Sequence, residues 1–322
     1  MNRTIRAAAL VIMAVLLAVL VPSPTLSAPT LYGACVGAAV LLAAALTAAL
    51  RRKEKAEQGR VDILELALFS VPAALVCARL VYCLIQFSFY FLEMGPVSVL
   101  RVWEGGFLLY GAAAGAMGAS ALLAKRRGAD VALTLDEMAA PGMLVIMISR
   151  LAEAFTTEGV GVWIESEHLM RFPFAVLNDY GEWQLCVFLP EAAAAAVILL
   201  IVLRKAAGKG ERIMTALLLY ACCQVFFESL RMDDCLKIGF VRVSQVASAA
   251  VIAAVTAIRA YRAGGRALAA KRVTVVLVCV AVCGGIEWAL DKTPMNNILL
   301  YAVMIAMCAV MMANGTRLKK TE

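Results

Sequence analysis

Ionisable side chains inside apolar stretches are the first candidates for chemistry in this sequence. Arg150 and Glu153 lie three residues apart near the end of an apolar stretch that begins at Ala139, so a helix would place them on one face. Such a pair is costly in hydrocarbon and is by default a functional-site candidate. Because a guanidinium binds phosphate through paired hydrogen bonds and membrane lipids carry phosphate, Arg150 indicates phosphate binding at a membrane.

Other polar side chains interrupt the apolar stretches further along the chain. Gln224, Glu228 and Arg231 are spaced by four and then three residues, which again gives one helical face. Arg79 lies within an apolar stretch, and Glu191 follows a proline where a helix could begin. Each has a structural alternative, either an ion pair or a side chain that reaches to the interface. For Glu191, the favourable interaction of an acidic first turn with the helix dipole is itself a sufficient structural reason, so both interpretations stay open.

These side chains must be positioned by membrane helices. The 322 residues are 63% hydrophobic and 16% charged, and a soluble protein of this length could not cover so much apolar surface. We therefore expect an all-α, polytopic integral membrane helix bundle with about ten transmembrane helices. The apolar stretches cover about 7–23, 30–50, 63–92, 105–124, 136–155, 185–203, 213–230, 240–258, 273–290 and 296–313. The third is longer than a bilayer requires, so we expect it to tilt, to break near Pro72 or to extend past the interface.

The basic residues indicate the orientation of the helices. Alternate connecting segments hold 22 of the 30 Lys and Arg residues. The positive-inside rule then places both termini in the cytoplasm and places residues 93–104, 156–184 and 231–239 on the outer side. The net charge of +7 is thus explained by topology, and nucleic acid is not expected as a partner.

The expected organisation has three parts. Residues 1–28 form an N-terminal membrane anchor or a signal-like helix, residues 29–260 form the membrane core with the outer loop 156–184, and residues 261–322 add two C-terminal helices. A signal peptide would be cut after Ala28, but Pro29 disfavours cleavage, which favours an uncleaved anchor. The ten cysteines lie mostly in apolar stretches without metal-ligand spacing, and His168 is the only histidine, so we expect no metal site.

The order of the polar motifs resembles that of the bacterial prolipoprotein diacylglyceryl transferases over about residues 30 to 258. The segment from Ser149 through Arg150 and Glu158 to Gly161 is similar to the family's long signature. The remaining resemblance is carried by Tyr32-Gly33, Ala78 to Tyr82, Trp103-Glu104-Gly105-Gly106, Leu189-Pro190-Glu191, Phe226 to Arg231 and Ser244-Gln245.

The resemblance implies a cofactor-free enzyme at the outer face of a bacterial cytoplasmic membrane. Family members move a diacylglyceryl group from phosphatidylglycerol to the lipobox cysteine of a preprolipoprotein. The implied partners are phosphatidylglycerol, the preprolipoprotein signal peptide and the surrounding membrane lipids. Three residues take catalytic roles by this resemblance, namely Arg150, Tyr110 and Glu158. The implied substrate-binding residues are Arg79, Tyr32, Glu153, Gly161, Glu191, Gln224, Glu228 and Arg231.

Departures from the family pattern keep other functions open, among them Leu185 to Phe188 in place of the family's His-Pro-Ser-Gln. Tyr110 stands where the family has His, Glu153 where it has Asn, and Gln224 where it has Arg. One alternative is therefore a catalytically impaired paralogue that binds lipid or lipoprotein in the membrane. A ten-helix transporter is a further alternative, which the lack of an internal repeat disfavours.

Overall fold

The computed structural model describes the chain in nine segments, namely residues 3–20, 29–54, 60–102, 105–178, 180–205, 210–233, 236–239, 241–292 and 297–316. Trp103, Glu104 and the cleavage point after Ala28 lie outside them. The chain forms two compact units. The first contains Met1–Gly159 and Ala195–Ile213, and the second contains Val160–Ala194 and Met214–Glu322.

Each apolar stretch of the sequence contains helix. The α-helices are α1 (Arg3–Leu20), α2 (Pro29–Glu54), α3 (Ile63–Ile85), α4 (Leu109–Arg126), α5 (Val131–Ala152), α6 (Phe188–Arg204), α7 (Glu211–Leu230), α8 (Val243–Lys292) and α9 (Asn297–Thr316). The predicted eighth and ninth stretches both fall in α8. That helix bends at Gly264 and Gly265, where Gly265 has a φ of 75° that side-chain-bearing residues rarely adopt.

A side-chain contact shows that α8 reverses direction at this bend. Gln245 Nε2 donates to Glu287 Oε1 at 2.5 Å, although 42 residues separate the two positions. In a straight helix they would be ~63 Å apart at 1.5 Å per residue. The two halves of α8 are therefore two packed helices, as the separate predicted stretches require.

Helix α3 covers only the first part of the third predicted stretch, residues 63–92. Helix α3 continues through Pro72 to Ile85, and Gln86 forms its C-terminal cap. A π-helical turn, Ser88–Glu93, and a 3-10 turn, Pro96–Leu100, follow. The residues beyond Ile85 that made the predicted stretch long thus adopt other helix types. Of the three alternatives, a break near Pro72 is not observed.

Six helices of the described residues are long and apolar enough to cross a membrane, namely α2, α3, α5, α7, α8 and α9. Helix α3 illustrates why these helices are suited to a lipid environment, because only 22% of its apolar 18-residue stretch is buried within the protein. Phe69, Val76 and Leu84 are each more than half exposed on it. Such a surface is unfavourable in water and favourable in hydrocarbon. The chain is a membrane protein, and the count of ten crossings stays a prediction.

Close helix packing and buried ion pairs hold the first unit together. A Cβ atom on Gly115 would lie 2.4 Å from the Ala73 carbonyl oxygen, and one on Gly111 would lie 2.9 Å from that of Cys77. Helix α4 therefore packs closely on the α3 backbone at these glycines. At another place in the unit, Glu137 of α5 is buried and accepts hydrogen bonds from Arg51 and Arg60.

Two small antiparallel sheets belong to the second unit and were not expected from the sequence. Strands β1 (Val160–Trp163), β2 (Ala175–Leu177) and β3 (Trp183–Cys186) pair in the order β1-β3-β2. Strands β4 (Lys237–Ile238) and β5 (Val241–Arg242) form a hairpin between α7 and α8. Each strand has four residues or fewer, which is too short for an alternating pattern to be recognised.

Candidate functional site

Arg150 and Glu153 form an ion pair at the end of α5. The Arg150 guanidinium donates through one terminal nitrogen to Glu153 Oε1, and both side chains are largely buried. Helix α5 ends at Ala152, and Glu153 begins a 3-10 turn, Glu153–Phe155. The predicted proximity of the two side chains is therefore confirmed. A buried carboxylate beside the guanidinium offsets the charge that a phosphate would otherwise meet.

Glu158 follows this pair at the beginning of the outer loop. Its backbone N–H donates to Thr156 Oγ1 at 3.1 Å, and the Thr156 hydroxyl donates in turn to the Glu153 carbonyl at 2.9 Å. The Glu158 side chain is half-buried and lies within electrostatic range of Tyr82 on α3. The turn therefore links the position of Glu158 to that of Glu153.

Arg79 is buried in the first unit with 2% exposure. Its guanidinium donates to the backbone carbonyls of Val99, Gly105, Ser98 and Arg101 at 3.1, 2.5, 3.0 and 3.1 Å. A longer contact of 3.4 Å reaches the Tyr90 hydroxyl, and the guanidinium carbon lies 4.8 Å from the centre of that ring. We name Arg79 and the carbonyls of Ser98, Val99, Arg101 and Gly105 the Arg79 clasp. The clasp fixes the segment that leads into α4.

The two predicted tyrosines occupy the first turns of helices. Tyr32 is half-buried in the first turn of α2, and Tyr110 is half-buried in the first turn of α4. The N–H of Leu108 donates to the Ala78 carbonyl at 3.3 Å, next to Arg79. Tyr110 is therefore positioned by the segment that the Arg79 clasp holds.

The predicted polar face of α7 meets Glu191 of α6 inside the second unit. Glu191 has 1% exposure and accepts from Gln224 Nε2 at 2.9 Å and from Arg231 at 3.0 Å. Gln224 also contacts the Tyr220 hydroxyl at 2.8 Å. The structure thus brings Glu191 together with Gln224 and Arg231, which the sequence predicted to share one helical face. Glu191 bonds to side chains, so its role goes beyond the helix-dipole interaction that the sequence offered.

Two residues that the sequence analysis missed extend this cluster. Asp233 accepts from Arg231 at 2.6 and 2.9 Å and from Arg242 at 2.9 Å. Arg242 also donates to the Arg231 carbonyl and lies 3.6 Å from Glu228. We name Glu191, Glu228, Arg231, Asp233 and Arg242 the acidic–arginine network. For the missed Asp233, the only sign in the sequence was its position two residues after Arg231, before a short connection.

The network contains three carboxylates and two guanidinium groups, so its formal charge is −1. Gly161 supports it from β1 by pairing with Arg231. A Cβ atom on Gly161 would lie 2.6 Å from the Leu230 carbonyl oxygen, so only glycine permits this approach. Gly161, predicted to bind substrate, thus lies in a packing contact beside Arg231.

The Cys186 thiol is a poor candidate for the reacting sulfur. All nine cysteines within the described residues are free, and Cys235 lies outside them. Burial raises the pKa of the Cys186 thiol in β3, which more than offsets a hydrogen bond to the Leu189 backbone that lowers it. A buried thiol with a raised pKa is a weak nucleophile near neutral pH.

Comparison with known proteins shows which family the chain belongs to. A family profile described as prolipoprotein diacylglyceryl transferase matches residues 25–261. The phosphatidylglycerol–prolipoprotein diacylglyceryl transferase of Ligilactobacillus salivarius is 30% identical over 66% of this chain and 81% of its own length. The proteins of the same name from Bacillus velezensis and Bacillus licheniformis are 29% and 30% identical, over 69% and 72% of this chain and 83% and 87% of their own lengths. The chain therefore belongs to the prolipoprotein diacylglyceryl transferase family, whose members are enzymes.

Proposed function

We propose that this protein transfers a diacylglyceryl group from phosphatidylglycerol to the lipobox cysteine of a preprolipoprotein. The observation that carries the proposal is the family match over residues 25–261, which includes the ends of α5 and α7 where the buried arginines lie. Arg150, at the end of α5, keeps the arginine of the motif recognised in the sequence. The substrates are those that the names of the relatives state.

The reaction is a displacement at the glycerol carbon that carries the phosphate. The cysteine sulfur forms a bond to this carbon, and the carbon–oxygen bond breaks. Glycerol phosphate leaves with the electron pair, and the thiol proton passes to a base. A cation near the phosphate stabilises the negative charge that grows on the leaving group. Arg150 takes this role in the proposal, because its guanidinium fits phosphate oxygens with two hydrogen bonds.

The base must help to form a thiolate from a cysteine whose free pKa is ~8.5. Glu158 is the favoured candidate, since it is half-buried and the turn that carries it bonds to Glu153. Tyr110 has a less suitable free pKa of ~10, so its role in the proposal is to orient a substrate oxygen by hydrogen bonding. Substrate binding is the proposed role of Tyr32 in the first unit and, in the second unit, of Glu191, Gln224, Glu228 and Arg231.

The Arg150–Glu153 ion pair favours a second candidate, a family member that binds lipid with impaired catalysis. A phosphate must share Arg150 with a carboxylate that already bonds to it. Coulomb repulsion between the phosphate and Glu153 weakens the phosphate–Arg150 contact that transfer requires. The transferase proposal therefore requires that the attraction between phosphate and Arg150 exceeds the repulsion between phosphate and Glu153.

Transfer to a lipobox peptide tests the proposal directly. The full-length protein in phosphatidylglycerol vesicles should add one diacylglyceryl mass to the peptide cysteine, and it should rescue a strain depleted of its own transferase. Arg150→Ala should lower the rate by about a hundredfold, because a charge-stabilising donor is lost. Arg52→Ala, at an exposed position of α2, serves as the matched control and should act as wild type.

The outcome separates the two candidates. Wild-type protein that is folded and binds phosphatidylglycerol but transfers nothing would leave only the lipid-binding member. Normal transfer by Arg150→Ala would contradict the role of Arg150. Under the transferase proposal, Glu153→Gln should lower the KM for phosphatidylglycerol, since it removes the competing charge while keeping the side-chain shape.

The proposed location is the bacterial cytoplasmic membrane, with several crossings, both termini in the cytoplasm and the loop 156–184 outside. The support is the distribution of basic residues along the chain. Glu167 in this loop is exposed, so a Glu167→Cys variant should react with a membrane-impermeant thiol reagent added to intact cells from outside. Wild-type protein controls for its own cysteines. Labelling of the variant only after the cells are opened would reverse the topology.

A further inference from the structure

The C-terminal helices contribute a half-buried carboxylate to the part of the chain that the family match covers. Glu287 lies in the second half of α8, outside residues 25–261. Its Oε1 accepts from Gln245 Nε2 at 2.5 Å, and Gln245 is 6% exposed within the matched region. Polar groups near Glu287 among the described residues include Ser229, Lys237 and Arg242, together with Tyr301 of α9.

Gln245 connects Glu287 to Arg242, because it also bonds to the Arg242 backbone. Gln245 Oε1 accepts from the Arg242 backbone N–H at 3.1 Å, while its Nε2 group also reaches the Val225 carbonyl at 3.3 Å. A side-chain amide has one oxygen and two N–H donors, so these contacts use its oxygen and both donors. The amide is thereby fixed between α7 and the β5–α8 junction. Rotation of the Gln245 side chain would release the N–H of Arg242.

Arg242 in turn connects Gln245 to the other members of the acidic–arginine network. Its guanidinium bonds to Asp233 and to the Arg231 carbonyl, and Arg231 bonds to Glu191. The contacts thus run without a gap from Glu287 through Gln245 and Arg242 to Arg231. A shift of the Arg242 backbone displaces the groups that hold Arg231.

We infer that Glu287 is a positioning residue of the transferase, and that the second half of α8 and α9 are part of its functional unit. The Glu287 carboxylate fixes the Gln245 amide, which holds Arg242 and thereby Arg231. The C-terminal helices are therefore more than additional membrane anchors. The hydrophobic cluster of α7, α8 and α9 keeps them in place, with Cys283 and Ile286 buried beside the Glu287 turn.

Amide hydrogen exchange tests this chain of contacts without relying on transfer activity. Glu287→Ala in the full-length protein should speed exchange of the Arg242 amide by about tenfold, because Gln245 loses its anchor. Glu287→Gln should keep slow exchange, since its amide oxygen accepts from Gln245. Asp291→Asn, an exposed position one turn away in an ion pair with Lys292, is the matched control. Unchanged exchange in Glu287→Ala overturns the inference.

The kinetic test rests on the proposed transferase function. Glu287→Ala should lower kcat by about tenfold through misplacement of Arg231, with the KM for the lipobox peptide unchanged within about twofold. Glu287→Gln should restore kcat, which a mere loss of folded protein would not predict. Wild-type kcat in Glu287→Ala, or a loss matched by the loss of folded protein, contradicts the inference. A wild-type protein without transfer instead contradicts the proposed function, and exchange then decides the role of Glu287.

Discussion

Buried arginines are stabilised in two different ways in the two compact units. In the Arg79 clasp, the guanidinium bonds to four backbone carbonyls of a single segment and forms no ion pair among the described residues. In the acidic–arginine network, Arg231 and Arg242 bond to carboxylates from α6, α7 and the α7–β4 connection. The first arrangement fixes a backbone, and the second joins elements that are distant in sequence.

The difference predicts how each region responds to substitution. The carbonyls of the clasp lose their donors together when Arg79 changes, because one side chain supplies all of these bonds. The network shares its contacts, since Asp233 bonds to both arginines and Glu191 also accepts from Gln224. Loss of one network member leaves its neighbours partly satisfied. The clasp should therefore be the more fragile of the two.

Replacement of Arg79 should have the largest effect. Arg79→Met keeps much of the side-chain volume but leaves several buried carbonyls without a donor, at about 1–3 kcal/mol each. We expect the free energy of unfolding in detergent micelles to fall by at least ~3 kcal/mol. Arg79→Lys should recover only part of this, since an ammonium lacks the planar arrangement of five donors.

The control for this prediction is Arg52→Met, which removes an exposed arginine at the end of α2. It should change the free energy of unfolding by no more than about 0.5 kcal/mol. A loss for Arg79→Met as small as this would mean that the clasp does not hold the segment, and that Arg79 is available to a ligand such as phosphate.

The contacts that the sequence predicts correctly are local ones. The pairing of Arg150 with Glu153 and the shared face of Gln224 and Arg231 follow from helical spacing alone. Arg79 shows the limit, because the family resemblance implied substrate binding while its partners are carbonyls of a loop up to 26 residues away. No residue type reveals a carbonyl acceptor, since every residue carries one.

The same limit explains the missed residues. Asp233 belongs to a short connection that a hydropathy profile treats as solvated, and Arg242 lies at the beginning of the next apolar stretch. Strands β4 and β5 are only two residues long. The burial of Asp233 and Arg242 depends on a hairpin that turns back on the end of α7. Glu287 lies within an apolar helix, but its link to Gln245 requires the reversal at Gly265. Long-range folding decides these contacts.

A smaller loss of folding free energy should follow from adding a methyl group at Gly106, next to the Arg79 clasp. Gly106 has a φ of 72°, and a Cβ there would lie 2.6 Å from the Tyr82 ring and 2.7 Å from an Arg79 nitrogen. Gly106→Ala should lower the free energy of unfolding by about 2 kcal/mol through backbone strain and overpacking. Gly118→Ala is the control, because this helical glycine of α4 has open space around it. It should be neutral or stabilising by about 0.5–1 kcal/mol. Equal effects at the two glycines would refute tight packing at Gly106.

The smallest effect is expected for a coupling inside the network. A double-mutant cycle of Glu191→Gln and Arg231→Met should give a coupling free energy of about 1 kcal/mol. The value is modest because Arg231 keeps Asp233 and Glu191 keeps Gln224 when the other partner is changed. The same cycle on Arg231 and Asp233 should give a larger coupling, since two hydrogen bonds at 2.9 and 2.6 Å join these residues. Chemical denaturation of the four proteins in each cycle measures both couplings. Additive effects between Glu191 and Arg231 would mean that their contact at 3.0 Å does not stabilise the fold, so that Asp233 alone holds Arg231.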